Sequence, residues 1–521
     1  MITSTRRALL SGAGAWSAAG LLAGKWSGPA EAWEPQVLRI PELIDARREG
    51  QSVALQVQRG ETSFFPNRQT STLGYNGSHL GPTLRLHSGD ETEMVVTNQL
   101  QEDTTVHWHG LIIPGPADGG PHQLIRPGST WRPRLKVKQP AATLMYHSHV
   151  HGSTAEQVYA GLAGVLLVAD DAERALGLPS EYGLDDLPLV LQDRIFDQGR
   201  LVYPNNHMAM MLGVRGDTIL VNGTVQPVAR VPGRLVRLRL VNASNARIYD
   251  LSFTDERSFH WIASDGGLLE RPVELRSLRL APGERAELLV DFSDGRAVTL
   301  ETEPDGNHPM MGMMGMMQGA ADSSRRHTVL RFVPASRGNA AQRPVPDRLV
   351  AIEHVDAASA VRRRRLVLTM GMGMRGRGRG SMGGGMMGGG MMGGGMMGGG
   401  MMGGEMGGRM GDMMAHGIDG RAFDMNRVDQ RVRLGDVETW EVSGEMMAHP
   451  IHVHGVQFEV LSRGGRRPDV RDQGLRDTVL VQEPVELLVR FTQPTLDHPF
   501  MYHCHILEHE DNGMMGQFAV V

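Results

Sequence analysis

The run Met501-Tyr502-His503-Cys504-His505, with His509 and Met514 just beyond it, holds the only cysteine of a 521-residue chain and flanks it with histidines. On a β-strand successive side chains take opposite faces, so His503 and His505 share one face, about 7 Å apart, and Cys504 takes the other. A thiolate on one face and two imidazoles on the other can serve two different copper centres joined by a few covalent bonds. With His449 upstream, Cys504, His449, His509 and Met514 form a His₂Cys set with a weak thioether, the ligand set of a blue-copper centre. A lone cysteine is often only a small buried hydrophobe. That reading leaves the neighbouring histidines without a reason.

The same pattern occurs twice. His107-Trp108-His109-Gly110 is followed by Met145-Tyr146-His147-Ser148-His149, as His452-Val453-His454-Gly455 is followed by the cysteine-bearing run. Four H-x-H pairs at matching places give eight imidazoles, which suit copper and could enclose a cluster where the two repeats meet. Ser148 stands where Cys504 does, so the first repeat lacks the thiolate and should hold no blue copper of its own.

The elements that must position these residues are short strands. Leu84-Arg85-Leu86-His87-Ser88-Gly89-Asp90, Val231-Pro232-Gly233 with Val236-Arg237-Leu238-Arg239-Leu240-Val241-Asn242, and Val432-Arg433-Leu434-Gly435-Asp436 are three weakly similar copies of one element. A second element recurs as Arg126-Pro127-Gly128, Ala281-Pro282-Gly283 and Gln482-Glu483-Pro484. Alternating or β-branched runs closed by Gly, Pro, Asn and Asp predict β-sandwiches, and few stretches carry a long helical period. At this length about three domains are expected. The divisions fall at 33–170, 171–335 and 345–521, with residues 334–346 as a linker. The middle unit has no H-x-H pair and reads as a spacer.

These segments resemble the multicopper oxidase family, whose signatures match at HWHG, HSH, HPIHVHG and HCHILEHEDNGMM. The resemblance covers nearly all of the chain after its N-terminal segment. It implies an all-β fold of three cupredoxin-like Greek-key β-sandwich domains in tandem. It also implies four copper ions per chain: one type 1, one type 2 and two type 3. By motif, type 1 copper would take His449, Cys504, His509 and Met514, and type 2 copper His107 and His452. The type 3 pair would take His109, His147, His149, His454, His503 and His505. Electrons would pass from Cys504 to its flanking histidines, and dioxygen would be reduced to water. Asp118 and Glu510 match acidic positions that relay protons in the family.

Methionine is the other outlier. Of 34, 16 lie between Met370 and Met414 and six between Met310 and Met317, both in Gly-rich stretches. Such sequence cannot support a packed core. Thioether sulfur is a soft ligand that selects Cu(I). An insert at about 370–416 is most similar to that of the bacterial copper-efflux, or cuprous, oxidases. The resemblance implies a Cu(I) substrate site beside the type 1 copper, at Glu445 and Met447, with Met370 as a further ligand.

Thr5-Arg6-Arg7 leads a short Ala/Gly/Leu-rich stretch ending in Ala30-Glu31-Ala32. It reads as a twin-arginine export signal over residues 1–32, too short and Gly-rich to span a bilayer well. A single cysteine excludes an intramolecular disulfide. The formal charge of −5, without a long basic or acidic tract, gives no nucleic-acid footprint. The expectation is a periplasmic monomer with no stable membrane insertion after signal removal, oxidising Cu(I) with dioxygen and serving copper tolerance. A laccase acting on phenols or aromatic amines, a Met-rich copper buffer and a copper-free scaffold are the rivals.

Overall fold

A computed structural model describes residues 36–307, 326–335, 344–371 and 416–521. The export signal, the Met310–Met317 group and the insert between residues 372 and 415 lie outside the described residues.

Local patterning explains the strands. Ser52–Phe65 alternates exposed and buried positions and has one wet face, whereas Leu235–Asn242 is buried throughout. The second lies between Asp186–Asp197, its parallel neighbour, and Arg285–Asp291, its antiparallel one. Burying a strand on both faces puts its charged residues in the interior, where each needs a partner. Arg239 accordingly meets Asp186 at 2.6 Å and Glu287 at 3.1 Å.

Six sheets occur among the described residues, two from each third of the chain. The first pair joins Leu43–Asp45, Thr83–His87, Ala163–Ala169 and Ala142–His147 in one sheet, and Arg68–Tyr75, Ser52–Phe65, Glu91–Asn98, Thr130–Trp131 and Arg134–Lys136 in the other. The middle pair lies within residues 186–334 and the last within residues 362–520. Each pair encloses its own apolar core. Leu55, Leu86 and Tyr146 belong to the first, Leu240, Trp261 and Phe332 to the second, and Trp440, Ile451 and Phe518 to the third. The chain is thus all-β in sandwich layers, as expected. We propose 33–170, 171–335 and 345–521 as the corresponding boundaries.

Two short helices, Thr154–Ala160 and His207–Leu212, pack on a third, Leu507–Asp511. Asp511 accepts the backbone N–H of Thr154 at 3.1 Å and of Ala155 at 2.8 Å, tying the first third of the chain to the last. This junction lies beside the histidine-bearing strands.

Candidate copper centres

The two repeats present their histidines in the same way. His107 bridges His147 between backbones, and His452 pairs with His503 in the ladder between His449–Val453 and Phe500–Cys504. Rings then stack across the repeats: His107 on His454 with centroids 3.8 Å apart, and His109 on His452 at 3.7 Å. All eight are buried.

Three nitrogen groups result. His149, His454 and His503 point their Nε2 atoms at one another at 3.1–3.2 Å. His109 Nδ1 lies 3.4 Å from His147 Nε2, and His505 completes that group. His107 Nε2 and His452 Nε2 approach to 3.4 Å.

Their outer nitrogens decide whether a metal fits. His107 Nδ1 donates to Asp118 O at 3.0 Å, His452 Nδ1 to Asp477 O at 3.0 Å and His147 Nδ1 to Ser148 O at 2.8 Å. His503 Nδ1 donates to Cys504 O at 3.0 Å. A carbonyl only accepts, so each proton sits on the outer nitrogen and the inner one is a bare lone pair. Burial pushes His452 down to about 4, and it pushes His109, His147, His149, His454 and His505 well below the usual histidine range. Neutral rings with converging lone pairs repel one another unless a cation lies between them. Both ring nitrogens of His505 are buried and without a protein partner. The donor set fits copper.

Cys504 lies on the other side of its strand. Its Sγ is 3.5 Å from His449 Nδ1 and 3.6 Å from His509 Nδ1. Again the outer nitrogens donate to carbonyls, His449 Nε2 to Glu445 at 2.9 Å and His509 Nε2 to Met211 at 3.1 Å. Burial pushes the Cys504 thiol well up, and a bound cation would favour its thiolate. Met514 is buried, and its backbone bonds both Cys504 N and His509 O. Met515 is opposite His503 in the ladder, on the face away from Cys504.

Residues 56–173 and 402–521 each match a family described as multicopper oxidase. The cell division protein FtsP of Xenorhabdus nematophila is 35% identical over 491 residues, 94% of this chain and 93% of its own. The multicopper oxidase mco of Staphylococcus aureus is 33% identical over 495 residues, 93% of this chain and 92% of its own. The chain belongs to the multicopper oxidase family. Among solved structures, a laccase-like multi-copper oxidase, CueO, from Ochrobactrum sp. superposes with a TM-score of 0.79 at 36% identity, covering 93% of this chain and 100% of its own. It is described as active towards lignin model compounds and lignosulfonate. Multicopper oxidases are copper-holding oxidoreductases that use dioxygen and a reducing substrate, and this chain has their cupredoxin-like sandwiches.

In this multicopper oxidase the acidic residues lie among the rings. Asp118, at the end of the short helix Gly115–Asp118, accepts from His454 Nδ1 at 2.8 Å. Glu510 is fully buried, 3.2 Å from His149 Nδ1 and 3.1 Å from His503 Nδ1, at angles that make no hydrogen bond. A third carboxylate was not singled out from sequence. Asp477 accepts from His109 Nε2 at 3.1 Å and is paired with Arg285. Burial raises the Asp477 carboxyl, but Arg285 outweighs it and holds it well below the usual carboxylate range.

Glu445, Met447 and Met370 come together beside His449. Met370 N donates to the Glu445 carboxylate at 3.3 Å, and Met447 N to Glu445 O at 2.7 Å. Both methionines are buried, while Glu445 is exposed. His416 was also missed. It is buried, with its ring 4.7 Å from His509, and it receives Gly371 N at 3.2 Å on Nδ1. Met210, Met211 and Arg285, all from the supposed spacer, touch these centres as well.

Proposed function

We propose that the protein is an exported cuprous oxidase, oxidising Cu(I) to Cu(II) and reducing dioxygen to water, in the service of copper tolerance. The observation that carries this reading is the position of Cys504. Its sulfur faces His449 and His509, while His503 and His505 on either side belong to two different imidazole groups. Copper bound in these places supplies one-electron exchange with the donor and the four-electron reduction of dioxygen.

The protein residues do the rest. His449, Cys504, His509 and Met514 are the type 1 ligands, His107 and His452 the type 2 ligands, and the remaining six histidines the type 3 ligands. The backbone from Cys504 to His503 and His505 would connect the two centres for electron transfer when copper is bound. Asp118, beside His454, and Glu510, between His149 and His503, are the proton relays. Glu445, Met447 and Met370 place substrate Cu(I) next to His449, whose outer nitrogen bonds Glu445 itself. A soft sulfur pair with one carboxylate suits a cuprous ion better than a phenol. The twin-arginine signal would deliver the folded protein to the periplasm, where it acts as a monomer without membrane insertion.

Two other readings have specific support. The Ochrobactrum CueO likeness favours phenolic substrates, and the FtsP likeness favours a cell-division role. Copper content, oxygen uptake and rates with Cu(I) and with a phenol separate all three. Four coppers per chain and rapid Cu(I)-driven oxygen uptake support the proposal. A copper-free protein excludes it.

A further inference from the structure

Arg285 opens the strand Arg285–Asp291 of the middle unit, with its side chain fully buried. Every guanidinium N–H has an acceptor. Nε donates to Thr143 O at 3.3 Å, Nη1 to Gly283 O at 2.8 Å and Asp477 Oδ1 at 2.7 Å, and Nη2 to Asp265 O at 3.1 Å and to Asp477 Oδ2. The fork thus grips the Asp477 carboxylate bidentately, in the geometry that fixes a carboxylate's orientation as well as its position.

Asp477 holds His452 through its backbone carbonyl and sets a second ring through its carboxylate. Its Oδ1 accepts from His109 Nε2, which places the proton there and leaves Nδ1 facing His147. His109 is therefore turned over relative to His107, His147, His452, His454 and His503, which carry the proton on Nδ1. Those other rings find a nearby backbone carbonyl or Asp118. An inverted ring needs an acceptor on its far side, and the Asp477 carboxylate supplies the charged one at 3.1 Å, with Thr478 Oγ1, itself donating to Asp477 Oδ1, 3.2 Å from the same nitrogen.

Two glycines show how closely the chain is built around this contact. A Cβ on Gly110, which has φ +91°, would lie 2.7 Å from Arg285 Nη2 and 2.8 Å from Asp477 Oδ2. A Cβ on Gly283, with φ +81°, would lie 2.8 Å from the His505 ring. The glycine after His109 and the turn before Arg285 both leave room for close approach of the middle unit to the imidazole groups.

We propose that Arg285 is a positioning residue for the cluster: acting through Asp477, it fixes His109 in the orientation that presents Nδ1 to copper. The middle unit then helps build the oxygen-reducing centre and is more than a spacer. This rests on the copper reading above, and the experiment separates the two.

Wild type, Arg285→Lys, Arg285→Met, Asp477→Leu and the double variant Arg285→Met/Asp477→Leu are copper-loaded and titrated with a chelator. Copper retained at the cluster is followed by metal analysis and type 2 electron paramagnetic resonance, and type 1 copper by its blue absorption. Wild type without bound copper defeats the copper reading itself. With wild type loaded, Arg285→Met should hold cluster copper about 10–100-fold more weakly with the blue absorption kept, as for loss of a ligand's supporting partner. Arg285→Lys should fall between. The double variant should lose no more than Asp477→Leu alone, since Arg285 acts through Asp477. Unchanged cluster retention in Arg285→Met, equal loss at both centres, or a further loss in the double variant overturns the proposal.

Discussion

His454 of the last unit donates from Nδ1 to Asp118 Oδ2 of the first over 2.8 Å. The same carboxylate is 3.6 Å from His107 Nδ1, and its Oδ1 is buried without a partner. Asp118 thus joins two rings and leaves one oxygen without a hydrogen bond, at the place where a proton relay is proposed. Asp118→Asn keeps an acceptor for His454 but cannot exchange protons. It should retain its copper and slow oxygen uptake by about 100-fold, the lower end for a positioned proton donor. Uptake at the wild-type rate, with copper confirmed, would remove the proton role.

Cys504→Ser should abolish the blue absorption and oxidation of any external donor, because only the thiolate gives a type 1 site its soft ligand. The eight histidines remain, so cluster copper should stay bound. Metal analysis and electron paramagnetic resonance check this. Loss of all copper would mean that the two centres assemble as one.

Glu445 and Met447 should separate the substrates. Glu445→Gln removes the charge beside Met370 N, costing about 1.5–3 kcal/mol where it contacts the bound ion, or roughly tenfold or more in KM for Cu(I). Phenol oxidation needs no such charge and should hold. Equal slowing of both reactions would place Glu445 in the type 1 site's own support.

Copper removal should expose the buried imidazoles as an acid liability. Unfolded histidine titrates at 6.5, whereas burial holds His449 and His452 at about 4. Between those values the unfolded chain binds protons that the folded chain refuses, so stability falls as pH drops through that window. Copper-free protein should therefore show a melting temperature that declines from pH 6.5 to about 4. Bound copper should raise it at every pH where binding persists.

Much of the site was legible because its signal is local. Four H-x-H pairs, one cysteine and fixed spacings need only strand geometry to place imidazoles on common faces, and His503 and Cys504 behave accordingly. The β-sandwich layering was visible for the same reason, through turn residues and alternation. What sequence hid is whatever depends on contacts between units. Asp477 resembles any acid ahead of the apolar run Thr478–Val481 until Arg285, 192 residues earlier, is seen against it. The carbonyls of Met210 and Met211 carry no side-chain signature at all, yet they hold the His416 and His509 rings. His416 read as the end of the Met-rich stretch. Its burial beside His509 follows from folding.

The bond from Gly371 N to His416 Nδ1 brings together the two points between which the Met-Met-Gly-Gly-Gly units are threaded. A segment that leaves and re-enters at nearly the same place imposes no span on its own length. Closing a connection twice as long costs only ~0.6 kcal/mol more. Slippage during replication could therefore add or delete whole units without changing the distance between the two described end points. The number of thioethers becomes a quantity that a lineage could adjust to the metal it meets, with Gly371 and His416 left where they are.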